Sequence, residues 1–366
     1  MSQQKLKVLY VITSLRTGGA ERLVVDLALR LKERGHYIDV AVFDTTPTHL
    51  TEELDTAGVP VIGFGNGYWQ MWNPLHTFHL RKLLKGKDYD IIHSHNSSAQ
   101  FYTALAKPRN YAAHMFTTEH NTTNRRRGWC WWRFIDRWLY REYDSVVCVS
   151  PRVKERLIAC LNTNAAKKIS VIYNGVDLGR FNKRYVPHMH IGNVGKTVIL
   201  MVAAFRKQKD HVTVIESMRY LPDNYELWLA GDGENRPKCE KLVQKSGLKD
   251  RVKFLGVVSP VQDVIGSAHI MVLSSHYEGM PLSVIEGMAM AKPFVATDAP
   301  GLSEIVGGYG LLSEPYNPAD LAEKIMSLGK NRKLYDSVSE ACYERSKEFD
   351  IETVVARYEE LYRKLK

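Results

Sequence analysis

The chain has 366 residues, enough for two domains with separate cores, and its 45% hydrophobic and 25% charged residues are those of an ordinary folded protein. No apolar run approaches the roughly 18 residues that a spanning helix needs, and five scattered cysteines (Cys130, Cys148, Cys160, Cys239, Cys342) without a C-x-x-C pair speak against a disulfide framework or a zinc site. The net charge of +10 is uneven: residues 1–177 carry 24 basic against 16 acidic side chains and residues 178–366 carry 26 against 24, so the first half suits an anionic partner.

Residues 7–13 form a near-continuous apolar run, as expected of a strand covered on both faces in a parallel sheet. The run is short and follows a polar, basic start, so it reads as a strand and not as a signal segment; a cytoplasmic protein is expected. Residues 21–34 place Leu23, Val24, Leu27, Ala28 and Leu31 at helical spacing and stop at Gly35. Strands follow at 38–43, 90–95, 115–118 and 145–150, the last closing the series. The rhythm breaks at the turn Asn174-Gly175-Val176-Asp177 and the loop-like stretch after it. It restarts with strands at 197–203, 226–230, 252–255, 270–273 and 293–297. The pattern predicts an α/β protein of two Rossmann-like, doubly wound domains facing a central cleft. Residues 1–175 form the first, 196–349 the second and 176–195 a linker, while the amphipathic helix 350–366 packs back to complete the first. Ligands bind at strand C-terminal ends in such sheets, so the chemistry belongs to the loops after the strands.

One such loop is Glu278-Gly279-Met280-Pro281-Leu282-Ser283-Val284-Ile285-Glu286. Pro281 suits a first helical turn, where its missing N–H costs nothing. The N–H groups of Leu282 and Ser283 then point outward at the positive helix end, ready for an anion. Two carboxylates flanking an anion site suit a sugar nucleotide: one accepts from sugar hydroxyls, the other from ribose hydroxyls. The bland alternative is a surface helix whose acidic start is stabilised by the dipole. After the first strand comes Thr13-Ser14-Leu15-Arg16-Thr17-Gly18-Gly19-Ala20-Glu21, in which Gly18 and Gly19 permit positive φ and close backbone approach. It does not fit G-x-G-x-x-G. After the first strand of the second half, Arg206 and Lys209 are placed to neutralise a diphosphate, against the alternative of a solvated basic loop. Gly231-Asp232-Gly233-Glu234 is a turn after the next strand. No second carboxylate cluster supports Mg²⁺, so no metal or other cofactor is expected.

In the first half, His120 follows the strand at 115–118. His93-x-His95 ends another; a metal pair there has no third ligand, and His95 is assigned to the acceptor side. The segment Arg125-Arg126-Arg127-Gly128-Trp129-Cys130-Trp131 interleaves cations with tryptophans. That suits an anionic membrane surface or stacked single-stranded nucleic acid. Membrane or acceptor contact is favoured for Arg125, Arg126, Arg127 and Trp129, and nucleic acid is not expected as a partner. Phe134 and Trp138, four apart, read as core.

The stretch from Ser274 to Pro300, with its two glutamates eight apart, Gly287-Met288-Ala289-Met290-Ala291-Lys292-Pro293 and Ala296-Thr297-Asp298, resembles the signature of family-4 retaining glycosyltransferases of GT-B fold. The resemblance spans essentially the whole chain. It implies a hexosyl- or N-acetylhexosaminyltransferase in which Glu278 touches the donor sugar and Glu286 binds the ribose. The Gly18-Gly19 loop would reach over diphosphate and acceptor, and His120 would contact the sugar. The turn at Gly231 borders the nucleotide pocket, with Gly279, Met280, Leu282 and Ser283 beside it, and residues 252–257 border the base. The family's usual arginine five residues before Lys209 is Ala204 here, which leaves Arg206, or Lys209 alone, to meet the phosphate. The donor is expected to be UDP-linked and the acceptor a glycan or lipid-linked hydroxyl in cell-surface polysaccharide assembly, at the inner face of the cytoplasmic membrane. Rival readings are a sugar-nucleotide epimerase of the same fold, an NAD-dependent oxidoreductase and a non-catalytic polysaccharide- or nucleic-acid-binding protein. The basic, tryptophan-rich first half argues for an acceptor, against the epimerase.

Overall fold

The structure is a computed structural model that describes residues 4–16, 18–65, 67, 71–108, 110–120, 132–161, 167–187 and 195–365. The chain divides into two compact units, Met1–Gly175 with Ile351–Lys366, and Val176–Asp350. The first unit holds seven parallel strands: β1 (Lys7–Ser14), β2 (Tyr37–Asp44), β3 (Val61–Gly63), β4 (Ile91–His95), β5 (His114–Glu119), β6 (Ser145–Cys148) and β7 (Ile169–Val171). Their order is β3-β2-β1-β4-β5-β6-β7. The intervening helices are α1 (Gly19–Glu33), α2 (His49–Thr56), α3 (His76–Gly86), α4 (Ser97–Ala106), α5 (Trp132–Arg141) and α6 (Pro151–Leu161). Strand alternation sorts β1 between two cores. Val8, Tyr10 and Ile12 join the side chains of α1 and α2, whereas Leu9 and Val11 join those of α3 and α4. Burial on both faces explains the unbroken apolar run.

The second unit repeats the plan with β8 (Thr197–Val202), β9 (Tyr225–Ala230), β10 (Val252–Gly256), β11 (Ile270–Leu273), β12 (Phe294–Thr297) and β13 (Leu311–Ser313), ordered β10-β9-β8-β11-β12-β13. Its helices are α7 (His211–Ser217), α8 (Arg236–Lys245), α9 (Val261–Ser267), α10 (Leu282–Ala289), α11 (Ser303–Val306), α12 (Pro318–Lys330) and α13 (Arg332–Ser346). The last helix, α14 (Ile351–Leu365), returns to the first unit. Ile351, Val354, Val355, Tyr358 and Tyr362 enter the core shared with α1, and Arg34 ties Glu352 and Glu359 over the edge at 2.8 and 3.2 Å.

Three expectations change. The strand at Ser145 does not close the first sheet, because β7 pairs beyond it. The segment expected as a linker folds, through residue 187, with the second unit. Val176 donates to the Phe349 carbonyl, Tyr185 Oη bonds Asp263 Oδ1 at 2.7 Å and Lys183 pairs with Glu340. Phe134 and Trp138 stand on the surface and not in the core.

Candidate active site

In both sheets the strand order reverses beside the first strand, between β1 and β4 and between β8 and β11. Ligands of doubly wound sheets bind outside the strand ends at this reversal. In the second unit the two loops leaving those ends are laced together. His276 N donates to the Gln208 carbonyl at 2.9 Å, Gln208 Nε2 donates to the Tyr277 carbonyl at 2.6 Å, and Ser274 Oγ donates to the Asp210 carbonyl at 2.7 Å. The lacing brings Lys209 Nζ to Glu278 Oε1 at 2.6 Å. Glu278 is only 5% exposed. A carboxylate so withdrawn from water needs a cation, and Lys209 supplies it. A third loop braces the same residue: Glu278 N donates to the Pro300 carbonyl, and Gly301, at φ +86, passes so close that a Cβ would lie 2.3 Å from the Glu278 carbonyl oxygen.

Pro281 is the cap preceding α10, one position before the first helical turn expected for it, with Leu282 opening the helix. Gly279, Met280 and Leu282 are buried, while Ser283 and Glu286 are the two residues of α10 that retain partial exposure. They are three apart, hence on one face of the helix. The turn after β9 is equally constrained. Gly231 has φ +139, and a Cβ there would sit 2.1 Å from the Ala203 carbonyl oxygen. Gly231→Ala is therefore expected to destabilise the fold by about 3 kcal/mol, because both the dihedral and the backbone clash resist relief. Urea titration checks this; a loss under about 1 kcal/mol would mean that the turn is slack. Arg206 is exposed and only begins the short 3-10 turn Lys207–Lys209, so Lys209 is the cation held at Glu278. Gln208, Gly301 and Pro300 were not singled out from the sequence. The positive-φ glycine after Pro300 was the one local sign of them.

In the first unit neither Gly18 nor Gly19 has positive φ. Gly18 is extended, and Gly19 begins α1. The glycine at 18 makes room instead: a Cβ would lie 2.2 Å from Glu21 Oε2. Glu21 in turn accepts from Asn96 Nδ2 at 3.3 Å, which joins the first turn of α1 to the residue after β4.

His95, expected on the acceptor side, lies at the C-terminal end of β4. It is fully buried, with Nδ1 3.1 Å from Nε2 of His120. His93 meets Tyr362 Oη through Nδ1 at 2.5 Å and Thr118 Oγ1 through Nε2 at 2.8 Å. Both of its nitrogens are engaged, which leaves none for a metal. No three His, Cys, Asp or Glu side chains converge as a metal site among the described residues. Burial holds the His120 imidazolium down to a pKa of about 4, with Glu119 pulling weakly the other way. Burial lowers His93 and His95 well below the ordinary value, aided in both by His120 and in His95 by His93 as well. His211, stacked on Phe205, is lowered to about 4 by burial. Above pH 6.5 these rings are neutral whether folded or unfolded. As pH falls from about 6.5 toward 4, the unfolded chain takes up protons that the native chain refuses. Stability should therefore decline through that window, by up to about 1.4 kcal/mol per pH unit for each ring. Urea midpoints that stay level across it would mean that the rings take up protons equally in both states. Arg125, Arg126, Arg127 and Trp129 lie outside the described residues.

Two Rossmann-like units with charged loops at their switch points are the architecture expected of a GT-B fold. The description Glycosyltransferase Family 4 matches residues 17–180, and Glycosyl transferases group 1 matches residues 190–345. An uncharacterized glycosyltransferase of Methanocaldococcus jannaschii is 32% identical over 353 residues, covering 95% of each chain. An N,N'-diacetylbacillosaminyl-diphospho-undecaprenol alpha-1,3-N-acetylgalactosaminyltransferase of Campylobacter jejuni is 30% identical over 206 residues, 53% of this chain and 54% of that one. The crystal structure of Anabaena HepE in complex with UDP and glucose superposes with a TM-score of 0.85 at 21% identity, over 97% of this chain and 99% of that one. The chain belongs to the family-4, group 1 glycosyltransferases.

Proposed function

We propose that the protein transfers a hexosyl or N-acetylhexosaminyl group from a UDP-sugar to a hydroxyl of a glycan or lipid-linked acceptor, with retention of configuration, in cell-surface polysaccharide assembly. The observation that carries the donor site is the part-buried Lys209–Glu278 pair at 2.6 Å, set at the strand reversal beside the start of α10. On this reading the diphosphate lies against the first N–H groups of α10 and Lys209. Glu278 accepts from sugar hydroxyls and Glu286 from the ribose. The C1–O bond to the diphosphate breaks as the acceptor oxygen bonds to C1 on the same face. The acceptor proton passes to the departing phosphate oxygen, so no separate base is needed. The fixed positive groups around the diphosphate supply the main catalytic effect by stabilising charge as it develops there. Lysine and helix end take the role that Mg²⁺ plays elsewhere, and transfer should proceed unchanged in EDTA.

The UDP in the complex of the similar Anabaena protein supports a uridine donor, and the diphospho-undecaprenol in the name of the Campylobacter relative supports a lipid-linked acceptor. Such an acceptor would hold the protein at an anionic membrane surface. No helix among the described residues is long and apolar enough to cross a membrane. The test is thermal denaturation in the presence of UDP-, GDP- and ADP-sugars, with NAD alongside. Stabilisation by UDP-sugars is expected; a shift with NAD alone, or with none of them, overturns the donor assignment.

A further inference from the structure

The two helical layers of the first unit differ in charge and in what they expose. Helices α1, α2 and α14 form one layer, with α1 packed against both α2 and α14. Basic and acidic residues balance in α1 and in α14, and α2 carries Glu52, Glu53 and Asp55 with no basic residue. On the other layer α3 packs on α4, α4 on α5 and α5 on α6. Here α3 carries Arg81, Lys82 and Lys85 with no acid, and α4 has no charged residue. In α5 the basic residues include Arg137 and Arg141, and its single acid, Asp136, is buried.

Large apolar side chains are exposed on this same layer. His76, Leu80 and Leu84 turn one stripe of α3 inward, and the stripe of Leu75, Phe78, Lys82 and Lys85 faces out. Leu75 is 54% exposed and Phe78 65%, with exposed Trp72 just ahead of them. On α5, Phe134 is 72% exposed, and Trp138, one turn on, is exposed as well. Exposed aromatics gathered on one helical layer mark a surface that meets something apolar. Cations beside them select an anionic surface, and the mixture is that of helices lying at a lipid interface.

We infer that the α3–α5 layer docks on an anionic lipid bilayer, with Trp72, Phe78 and Phe134 entering the interface and Lys82 and Lys85 meeting lipid headgroups. The inference rests on the membrane reading given above and adds the surface that makes the contact. Docked through this layer, the unit keeps the acid-rich α2 on its far face, out of reach of the bilayer's negative charge.

Sedimentation with phosphatidylcholine vesicles, with and without phosphatidylglycerol, tests it. The intact chain should bind only the vesicles containing phosphatidylglycerol. The pair Lys82→Gln and Lys85→Gln should weaken partitioning roughly thirtyfold. The triple variant Trp72→Ser, Phe78→Ser and Phe134→Ser should abolish it without lowering the thermal midpoint. Gln substitution of Arg30 and Lys32 on α1 should leave binding intact. If the unmodified protein ignores anionic vesicles, the membrane reading itself fails. If it binds and the α3–α5 variants bind equally well, the membrane reading stands and this surface is wrong. A concentration-dependent dimer by light scattering that the triple variant dissolves would assign the face to a second copy of the chain, and would also overturn the inference.

Discussion

Replacing Lys209 with alanine is expected to lower kcat/KM about a hundredfold to a thousandfold and to destabilise the fold by about 3 kcal/mol. The two losses have one origin. In the free protein the lysine neutralises Glu278, whose side chain is nearly buried, at 2.6 Å. Without it a carboxylate is left withdrawn from water with Gln208 Nε2 as a distant donor at 3.5 Å. During transfer the same ammonium group would meet the negative charge that grows on the leaving diphosphate, where a positioned donor is worth most. The double variant Lys209→Met, Glu278→Gln separates the two effects. It removes both charges, so it should regain most of the stability while remaining catalytically poor. Urea titration and product assays on the three proteins give the comparison. A single variant with full activity would remove Lys209 from the reaction. A double variant as unstable as the single one would mean that packing, not the unpaired charge, sets the loss. Arg206→Ala, by contrast, alters an exposed side chain and should cost little stability.

The parts of this arrangement that were legible in the sequence are those set by local pattern. The inner strands announced themselves because burial on both faces demands unbroken apolar runs, as in β1 and β11. The edge strands β3 and β13 have three residues each and are half exposed, so no such run marks them, and β7 was hidden the same way. The Glu278-to-Glu286 segment was readable because a loop and the helix it opens are contiguous in the chain. The pairing of Lys209 with Glu278 was not, since it joins residues 69 positions apart through loop-to-loop hydrogen bonds. Periodicity also misled: Phe134 and Trp138 have core spacing, yet the stripe they form faces outward. Spacing says that two residues share a face, and only tertiary packing says which way the face turns. The same limit applied to His95, whose place at a strand end gave no sign that its ring meets that of His120.

That ring pair yields a second strong expectation: His95→Leu should reduce kcat by roughly tenfold to a hundredfold with a smaller change in KM. His95 Nε2 has no partner among the described residues, while Nδ1 sits 3.1 Å from His120 Nε2. A buried N–H left unpaired costs more than a bare lone pair, so the His95 proton belongs on Nδ1, donated to His120. His120 is neutral above a pKa of about 4 and must then carry its own proton on Nδ1. It would present a fixed N–H to the reacting sugar, the contact that the family resemblance implies for it. Leucine in place of His95 frees the ring to rotate and to adopt the other tautomer. Asparagine places an amide near the former Nδ1 and should restore part of the rate, which simple cavity filling by leucine cannot do. Nitrogen NMR of labelled histidine would report the tautomer directly, with His120→Gln to assign the signal. Protonated Nδ1 and bare Nε2 are expected in the unmodified protein, with the pattern lost in His95→Leu. The reverse tautomer at the outset, or a leucine variant as active as the asparagine one, would reduce His95 to packing. Because both rings stay neutral, activity should also hold level as pH falls to about 5, so that any acid loss reports unfolding and not titration of His120.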